Sequence, residues 1–325
     1  MDRDRPTVLV TGASGFVGSA VCRTLAGLGG YNVRAALREP GAPLPTTVQQ
    51  ALGCELTAGT DWAAALAGVQ VVVHAAARVH VMKETCADGL AEFRRVNMQG
   101  TLNLARQAAA AGVKRFIFIS SIKVNGEASR PGQPLHADDL PAPQDAYGIS
   151  KHEAEQGLNQ LAADTGMELV VIRPVLVYGP GVKANFLSMM RWVQWGLPLP
   201  FAAVENRRSL VFLDNLVDFV VTCINHPQAA NQVFLASDGE DISLNQLLRA
   251  LGRALGRPAR LLAIAPAMLR LIARVAGRRD LAERLLGSLQ VDISKNQQVL
   301  GWRPPYTLQQ GLDVTARSFL ETLRR

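Results

Sequence analysis

Tyr147 and Lys151 stand four residues apart in the stretch DAYGISKHEAE, a spacing that puts both side chains on one face of a helix, one turn apart. A phenol ordinarily titrates near ~10, and an ammonium group one turn away favours the phenolate, so the pair predicts a tyrosine able to give or take a proton near neutrality. Ser120 and Ser121 close the apolar run RFIFISS. A hydroxyl there could hydrogen-bond the same substrate oxygen that the tyrosine protonates, a sugar or alcohol oxygen whose carbon exchanges hydride with a nicotinamide. Alone, each feature also has an ordinary reading: the Y-x-x-x-K pair as an exposed helix face, the serines as strand ends or helix caps.

The hydride chemistry needs a dinucleotide, and the stretch TVLVTGASGFVGSAVCRTLAGL, residues 7–28, is built for one. Val8, Leu9 and Val10 form a buried-strand run, and Val17, Ala20, Val21, Leu25 and Leu28 then recur at helical spacing, which makes a βα unit. Between them Gly12, Gly15 and Gly18 provide a tight turn, close approach of bare backbone to a pyrophosphate, and close packing of helix on strand. The spacing T-G-x-x-G-x-x-G differs from the G-x-G-x-x-G of many dehydrogenases, but the strand before and the helix after are the context such a motif requires. The next strand, Asn32 to Arg38, ends in Leu37 and Arg38 where an NAD-selecting fold usually places an acid for the ribose hydroxyl. Arg38 therefore predicts NADP as the favoured cofactor, with NAD as the alternative. Arg34 and Arg38 could equally be solvated strand-end charges.

The other elements must bring these parts together. Gln70 to Ala77 (QVVVHAAA) predicts a buried strand whose last residues, Ala75, Ala76 and Ala77, leave room for an adenosine. Arg78, His80 and Lys83 follow in a loop at the same edge. A short third strand is expected near Cys54 to Leu56, a helix over Ala91–Ala111 that carries Asn97, a strand over Arg115–Ser121, a helix from Tyr147 to Ala163, and a strand over Glu168–Pro174. This alternation predicts an α/β, Rossmann-type, doubly wound parallel sheet in a dinucleotide-binding domain over residues 1–174. Residues 175–325, with shorter and less regular elements, are expected to form a smaller substrate-binding lobe from which the chain can cross back to the sheet.

Composition narrows the partners. The 325 residues carry a net charge of +7, but the arginines are scattered and aromatics make up only 6%, so nucleic acid is not expected. No apolar run reaches the ~18 residues of a membrane span, and the mixed charges of MDRDRP do not resemble a leader, so a cytoplasmic protein is expected. Cys22, Cys54, Cys86 and Cys223 show no metal-ligand spacing, which predicts reduced thiols and no metal. Over Pro258–Arg279, Met268, Leu269, Ile272 and Val275 form an apolar stripe beside Arg270, Arg274, Arg278 and Arg279. The favoured expectation is a helix whose stripe packs on the lobe; peripheral contact with an anionic membrane is the other.

TGASGFVG, the HAAA strand end, Asn97, FISSIKVNG, YGISK and IRPVLVYGPG together resemble the extended short-chain dehydrogenase/reductases of the NAD-dependent epimerase/dehydratase family that act on nucleotide sugars, nearly over the whole chain. The resemblance implies that Tyr147 is the acid/base, that Lys151 holds the cofactor ribose and tunes the tyrosine, and that Ser121, with Ser120 beside it, completes the catalytic set. It adds Ser14, Phe16, Val17, Ala75, Ala76, Ala77, Asn97 and Pro174 to the glycines and Arg38 around the cofactor. It puts Arg78, Ser120, Ser121, Asn125, Tyr147, Asn185, Phe186 and Arg208 around a UDP-hexose, the last three near its uridine diphosphate, and implies a homodimer through the helices carrying Tyr147 and Asn97. DISKNQQVLGW, residues 292–302, looks like the family's C-terminal segment.

Departures refine this picture. Ile122 and Lys123 stand where the related dehydratases keep acids, so elimination of water is not expected, and Asn125 stands where many relatives have tyrosine. The missing acid near Leu37 suits an exchanging NADP, hence a UDP-4-keto-hexose reductase or the reverse dehydrogenase of surface-polysaccharide synthesis. The alternative is a UDP-hexose 4-epimerase with tightly held NAD. A regulatory NADP-binding protein without turnover is more remote, because both Tyr147 and Lys151 are present.

Overall fold

The computed structural model of the chain describes residues 5–79, 89–130, 132–277 and 279–324. Its centre is a seven-stranded parallel sheet in the order β3-β2-β1-β4-β5-β6-β9. β1 (Thr7–Thr11), β4 (Val71–His74) and β5 (Arg115–Ile119) are buried along their whole length, because helices cover both faces and an interior parallel strand therefore reads as a continuous apolar run. β2 (Asn32–Ala36) and β3 (Gln49–Ala51) extend the sheet on one side of β1, and β6 (Glu168–Pro174) and β9 (Gln232–Ala236) extend it beyond β5. The order reverses between β1 and β4, whose carboxyl ends, Thr11 and His74, lie in register side by side. Ligands of doubly wound sheets bind in the crevice beyond such a reversal.

Several boundaries differ from expectation. β3 is found at Gln49–Ala51, not near Cys54, because Arg34 pairs with Gln49 in the ladder from β2. Cys54 still donates its amide to Leu37 O at 3.0 Å, but after the turn at Gly53 the ladder has ended. The strand before the alanines stops at His74, so Ala75 to Ala77 lie in the loop beyond it. The helical region after the undescribed residues is not one uniform helix: α3 (Gly89–Phe93) passes into a π-helical stretch, Arg94–Gly100, and then α4 (Thr101–Ala110).

α1 (Phe16–Leu28), the one-turn α2 (Ala63–Leu66), α4 and α5 (Ala146–Thr165) accompany the sheet. Beyond β6 come β7 (Leu176–Tyr178), α6 (Ala184–Gln194) and β8 (Arg208–Phe212), and the chain then returns through α7 (Leu213–Asn225) to supply β9. β7, β8 and β10 (Asp241–Ile242) form a second, three-stranded sheet. Around it Tyr178, Phe186, Phe212, Leu248, Leu251 and Leu312 build a separate core with α8 (Leu244–Ala254) and α12 (Leu308–Arg324). α8 starts on a reciprocal cap in which Gln246 N donates to Ser243 Oγ at 3.1 Å and Ser243 N to Gln246 Oε1 at 3.0 Å, an arrangement worth about 1 kcal/mol.

The region 258–279 is not one helix. Residues 258–265 are irregular apart from a bridge between Leu261 and Leu199, and α9 spans Pro266–Val275, followed by α10 (Arg279–Leu286). No residue of α9 is buried; of its stripe, Leu269 packs partly on the lobe while Met268, Ile272 and Val275 are exposed, so the packed-stripe expectation fails. The tail segment, with α11 (Ser294–Leu300), is structural: Asn296 Nδ2 donates to Leu235 O at 2.9 Å and Trp302 Nε1 to Asp218 at 2.7 Å, tying β9 to α7. Cys22 and Cys223 are free and buried, and burial pushes both thiols up to about 12, where they are poor nucleophiles.

Candidate active site

The glycine turn is shaped by backbone crowding. Gly12 sits at φ +66°, and a Cβ there would lie 2.7 Å from Ala76 N and 2.8 Å from the Ala75 carbonyl. A Cβ on Gly18 would stand 2.2 Å from Gly12 O, so α1 packs on the turn with no room for a side chain. Gly15 is extended and exposed, donates its amide to Gly12 O at 2.8 Å, and gives α1 no side-chain cap. The first amides of α1, from Phe16 and Val17, thus start beside the exposed Ser14 and Gly15. An uncapped 13-residue helix behind a bare turn is a fitting cradle for a pyrophosphate.

Behind the turn, His74 is fully buried between Thr11 Oγ1, 2.6 Å from Nδ1, and Thr101 Oγ1, 2.8 Å from Nε2. Burial first, and the nearby Lys151 second, push its pKa down to about 3, so it is a neutral strut. Asn97 lies in the π-helical stretch, whose wider register aims its amide inward. It accepts from Arg78 N at 2.8 Å and donates to Arg78 O at 3.0 Å and Ser150 Oγ at 3.1 Å. Asn97 therefore clamps the 75–78 loop to α5, with its oxygen and amide already engaged by protein. Ala75 to Ala77 are half-buried in that loop. The Arg78 guanidinium lies 5.7 Å over the Phe93 ring and 3.7 Å from Glu92, with its Nε buried and without a hydrogen-bond partner among the described residues. His80, Lys83 and Cys86 lie outside the described residues.

α5 delivers the reactive pair. Asp145 caps it, accepting from Gly148 N at 2.7 Å, and forms a salt bridge with Lys123. Burial works against the Asp145 carboxylate, but the bonds from Lys123 and Gly148 outweigh it and hold its pKa below the usual range. Gly148 is required here, since a Cβ would lie 2.8 Å from Lys123 O. Tyr147 presents its phenol to Ser121, with the Phe93 ring edge-on at a centroid distance of 6.1 Å. Lys151 is buried, donates from Nζ to Ile119 O at 2.8 Å, and sits 4.3 Å over the Phe118 ring.

The protonation states differ from the simple pair argument. Burial, then the Asp145 charge, push Tyr147 up to about 12 despite the Ser121 hydrogen bond, and burial takes Lys151 down to about 7. The apolar pocket desolvates both charged forms more than the two groups assist each other. The group that favours the charged lysine is Glu155, one turn further along α5.

Glu155 anchors a network that sequence reasoning missed. It accepts from Ser120 Oγ at 2.5 Å and holds Arg173 through Nε at 3.0 Å and NH2 at 2.5 Å, with both charged side chains at most 5% exposed. Arg173 NH1 reaches Asn125 Oδ1 at 2.9 Å, and Asn125 Nδ2 donates to His136 O at 2.9 Å. Ser120 and Asn125, expected against substrate, are instead buried and bonded to protein. The signal existed in the sequence: Tyr147, Lys151 and Glu155 form an i, i+4, i+8 column, and Arg173 interrupts the apolar strand ELVVIRP.

In the lobe, Phe186 is 1% exposed and stacks on Tyr178 at 5.3 Å, so its side chain belongs to the core and not to a ligand surface. Asn185 beside it is exposed, just after Ala184 at φ +53°. Arg208 NH1 donates to Arg284 O at 2.6 Å and Gly287 O at 3.2 Å. It thus ties α10 to β8, and its Nε and NH2 have no hydrogen-bond partner among the described residues. Pro174 ends β6 in the buried pairing with Ala236. Arg38 is exposed one residue past buried Leu37, while Arg34 is committed to Ala65 O at 2.7 Å and Ala67 O at 2.8 Å.

Known proteins resemble this chain over its length. The family model described as NAD dependent epimerase/dehydratase matches residues 8–236. A UDP-glucose 4-epimerase from Vibrio cholerae is 49% identical over 100% of this chain and 99% of its own length. Among solved structures, MoeE5 in complex with UDP-glucose and NAD is 26% identical with a TM-score of 0.77, covering 98% of this chain and 99% of that one. UDP-glucuronic acid 4-epimerase from Bacillus cereus in complex with NAD, at 21% identity, shares the fold with a TM-score of 0.78 over 98% of this chain and 100% of that one.

Proposed function

The chain belongs to the NAD-dependent epimerase/dehydratase family, as an NAD(P)-dependent enzyme of the extended short-chain dehydrogenase/reductase type, and we propose that it interconverts a UDP-hexose with its C4 epimer using NAD. The observation that carries this reading is the full-length likeness to the Vibrio cholerae UDP-glucose 4-epimerase. It moves the balance from the 4-ketoreductase expectation to the epimerase alternative. NAD takes the place of the expected NADP in this reading because the chain is so like a UDP-glucose 4-epimerase and MoeE5 is seen with NAD; the exposed Arg38 argues for neither cofactor.

NAD, when bound, supplies the acceptor and donor of the C4 hydride. The chain's residues manage the proton and the geometry. Tyr147 takes the proton from the C4 hydroxyl and returns it, Ser121 hydrogen-bonds the same oxygen, and Lys151, whose charged form Glu155 favours against burial, stabilises the phenolate as it forms. The phenol need not be ionised beforehand, because the charge on the tyrosine is required only as the proton moves. The residues directly after Ser121 are Ile122 and Lys123, not acids, and Lys123 is held by Asp145 and by Glu127 at 3.3 Å, so the elimination of water has no acid at that place. Arg208, through Nε and NH2, and Asn185 are the groups we place at the diphosphate, and Arg78 the one we place at the sugar.

The test is to denature the purified protein and identify any released dinucleotide, then to supply UDP-glucose and follow C4 epimers by chromatography and reduced cofactor by absorbance. Interconversion without net change at 340 nm is expected. No interconversion, together with NADPH consumption on a UDP-4-keto-hexose, would return the enzyme to the reductase reading.

A further inference from the structure

The strongest feature outside the active site is α9. Met268, Leu271, Ile272 and Val275 are 55%, 61%, 56% and 83% exposed, and Leu262, shortly before the helix, is 51% exposed. Leu269 and Ala273 pack the helix partly against the lobe core. A contiguous exposed apolar surface of this kind marks an interaction site.

The charges beside it select the partner. Arg270 and Arg274 of α9 and Arg279 of α10 line a cleft of about 340 Å³ together with Leu271 and Glu283. Glu283 answers only Arg270, at 3.9 Å, and Arg274 and Arg279 have no salt bridge among the described residues. Three guanidinium groups against one carboxylate make a site for a phosphodiester. A second copy of the chain would bring the same arginines face to face, whereas a phospholipid surface offers acyl chains to the stripe and phosphates to the cleft.

We propose that the α9–α10 hairpin docks this protein on an anionic lipid bilayer, with α9 lying in the interface, its stripe among the acyl chains and its arginines on headgroup phosphates. The contact is peripheral, as no helix among the described residues is long and apolar enough to cross a membrane. Through the bonds of Arg208 to Arg284 O and Gly287 O the hairpin is tied to β8 of the substrate lobe. Docking therefore holds that lobe at the bilayer.

The experiment is flotation of the full-length protein with phosphatidylcholine vesicles and with mixed phosphatidylcholine–phosphatidylglycerol vesicles. Binding is expected to the mixed vesicles only, weakened at about 1 M salt, where the Debye length is ~3 Å. Arg270→Ala and Arg274→Ala should each lower the partition about fivefold. Leu271→Ser with Ile272→Ser should abolish binding while leaving the melting temperature and the turnover without vesicles unchanged, since both side chains are exposed. Failure of the wild type to bind, equal binding to both vesicle types, or undiminished binding by the double variant overturns the proposal. So does a wild-type dimer that ignores vesicles and is split by the double variant, because a second copy would then cover the face.

Discussion

Alanine placed at Gly18 and at Gly27, both within α1, should act with opposite signs. Around Gly27 nothing lies within 4 Å of a new Cβ, so the variant collects the helix propensity of alanine, about 0.5–1 kcal/mol. At Gly18 the same gain meets a Cβ 2.2 Å from Gly12 O and 2.6 Å from Gly12 C. Relief requires a shift of more than about 1 Å between two backbones, and overpacking of this kind costs ~1–3 kcal/mol. Gly12 cannot retreat, because its other side faces the Ala75–Ala76 backbone and its carbonyl already holds Gly15 N at 2.8 Å. The two variants should thus differ by the overpacking cost, about 1–3 kcal/mol, or roughly 1.5–4.5 °C in melting temperature for a chain of this length. Thermal unfolding with and without NAD, and calorimetric titration of NAD, give the comparison. Gly27→Ala should bind NAD as the wild type does, and Gly18→Ala at least ~10-fold more weakly, a loss of ~1.4 kcal/mol. A Gly18→Ala protein with wild-type stability and affinity would refute both the crowding argument and the assignment of this turn to the cofactor.

Tyr147→Phe should lower kcat by about 10²–10⁴ while leaving NAD affinity nearly unchanged, since only the transferable proton is lost; turnover assays and calorimetry read the two effects separately. Glu155→Gln leaves Arg173 as a buried unpaired cation and should cost roughly 3–5 kcal/mol in urea unfolding, whereas Glu155→Gln combined with Arg173→Met should recover much of that. Lys151 has its pKa lowered to about 7 in the folded chain. Between that value and the ordinary one of ~10.4 the unfolded chain holds more protons, so this group makes the fold more stable as pH rises through that window. Lys151→Met should therefore raise the melting temperature more at pH 6 than at pH 9.5, and an equal gain at both would contradict the depressed pKa.

The βα turn, the parallel sheet and the Tyr147–Lys151 pair were legible in the sequence because each depends on local order: a period that changes from strand to helix, glycines at fixed spacing, two side chains one turn apart. Ser121 at the strand end follows from the same local logic. What folding alone decided are the partners between distant segments. Ser120, Asn125 and Phe186 carry residue types that suit a ligand, yet they are drawn inward because Glu155, Arg173 and Tyr178, from other elements, satisfy or cover them. Asn97 became a clamp because the π-helical stretch turned its amide onto the Arg78 backbone, a register that no periodicity announces. The stripe of α9 has the spacing of a packed helix, and spacing cannot say whether a core is there to receive it. Protonation was likewise a tertiary matter: a four-residue spacing brings a lysine to a tyrosine, but the depth of the pocket disfavours the charged form of both.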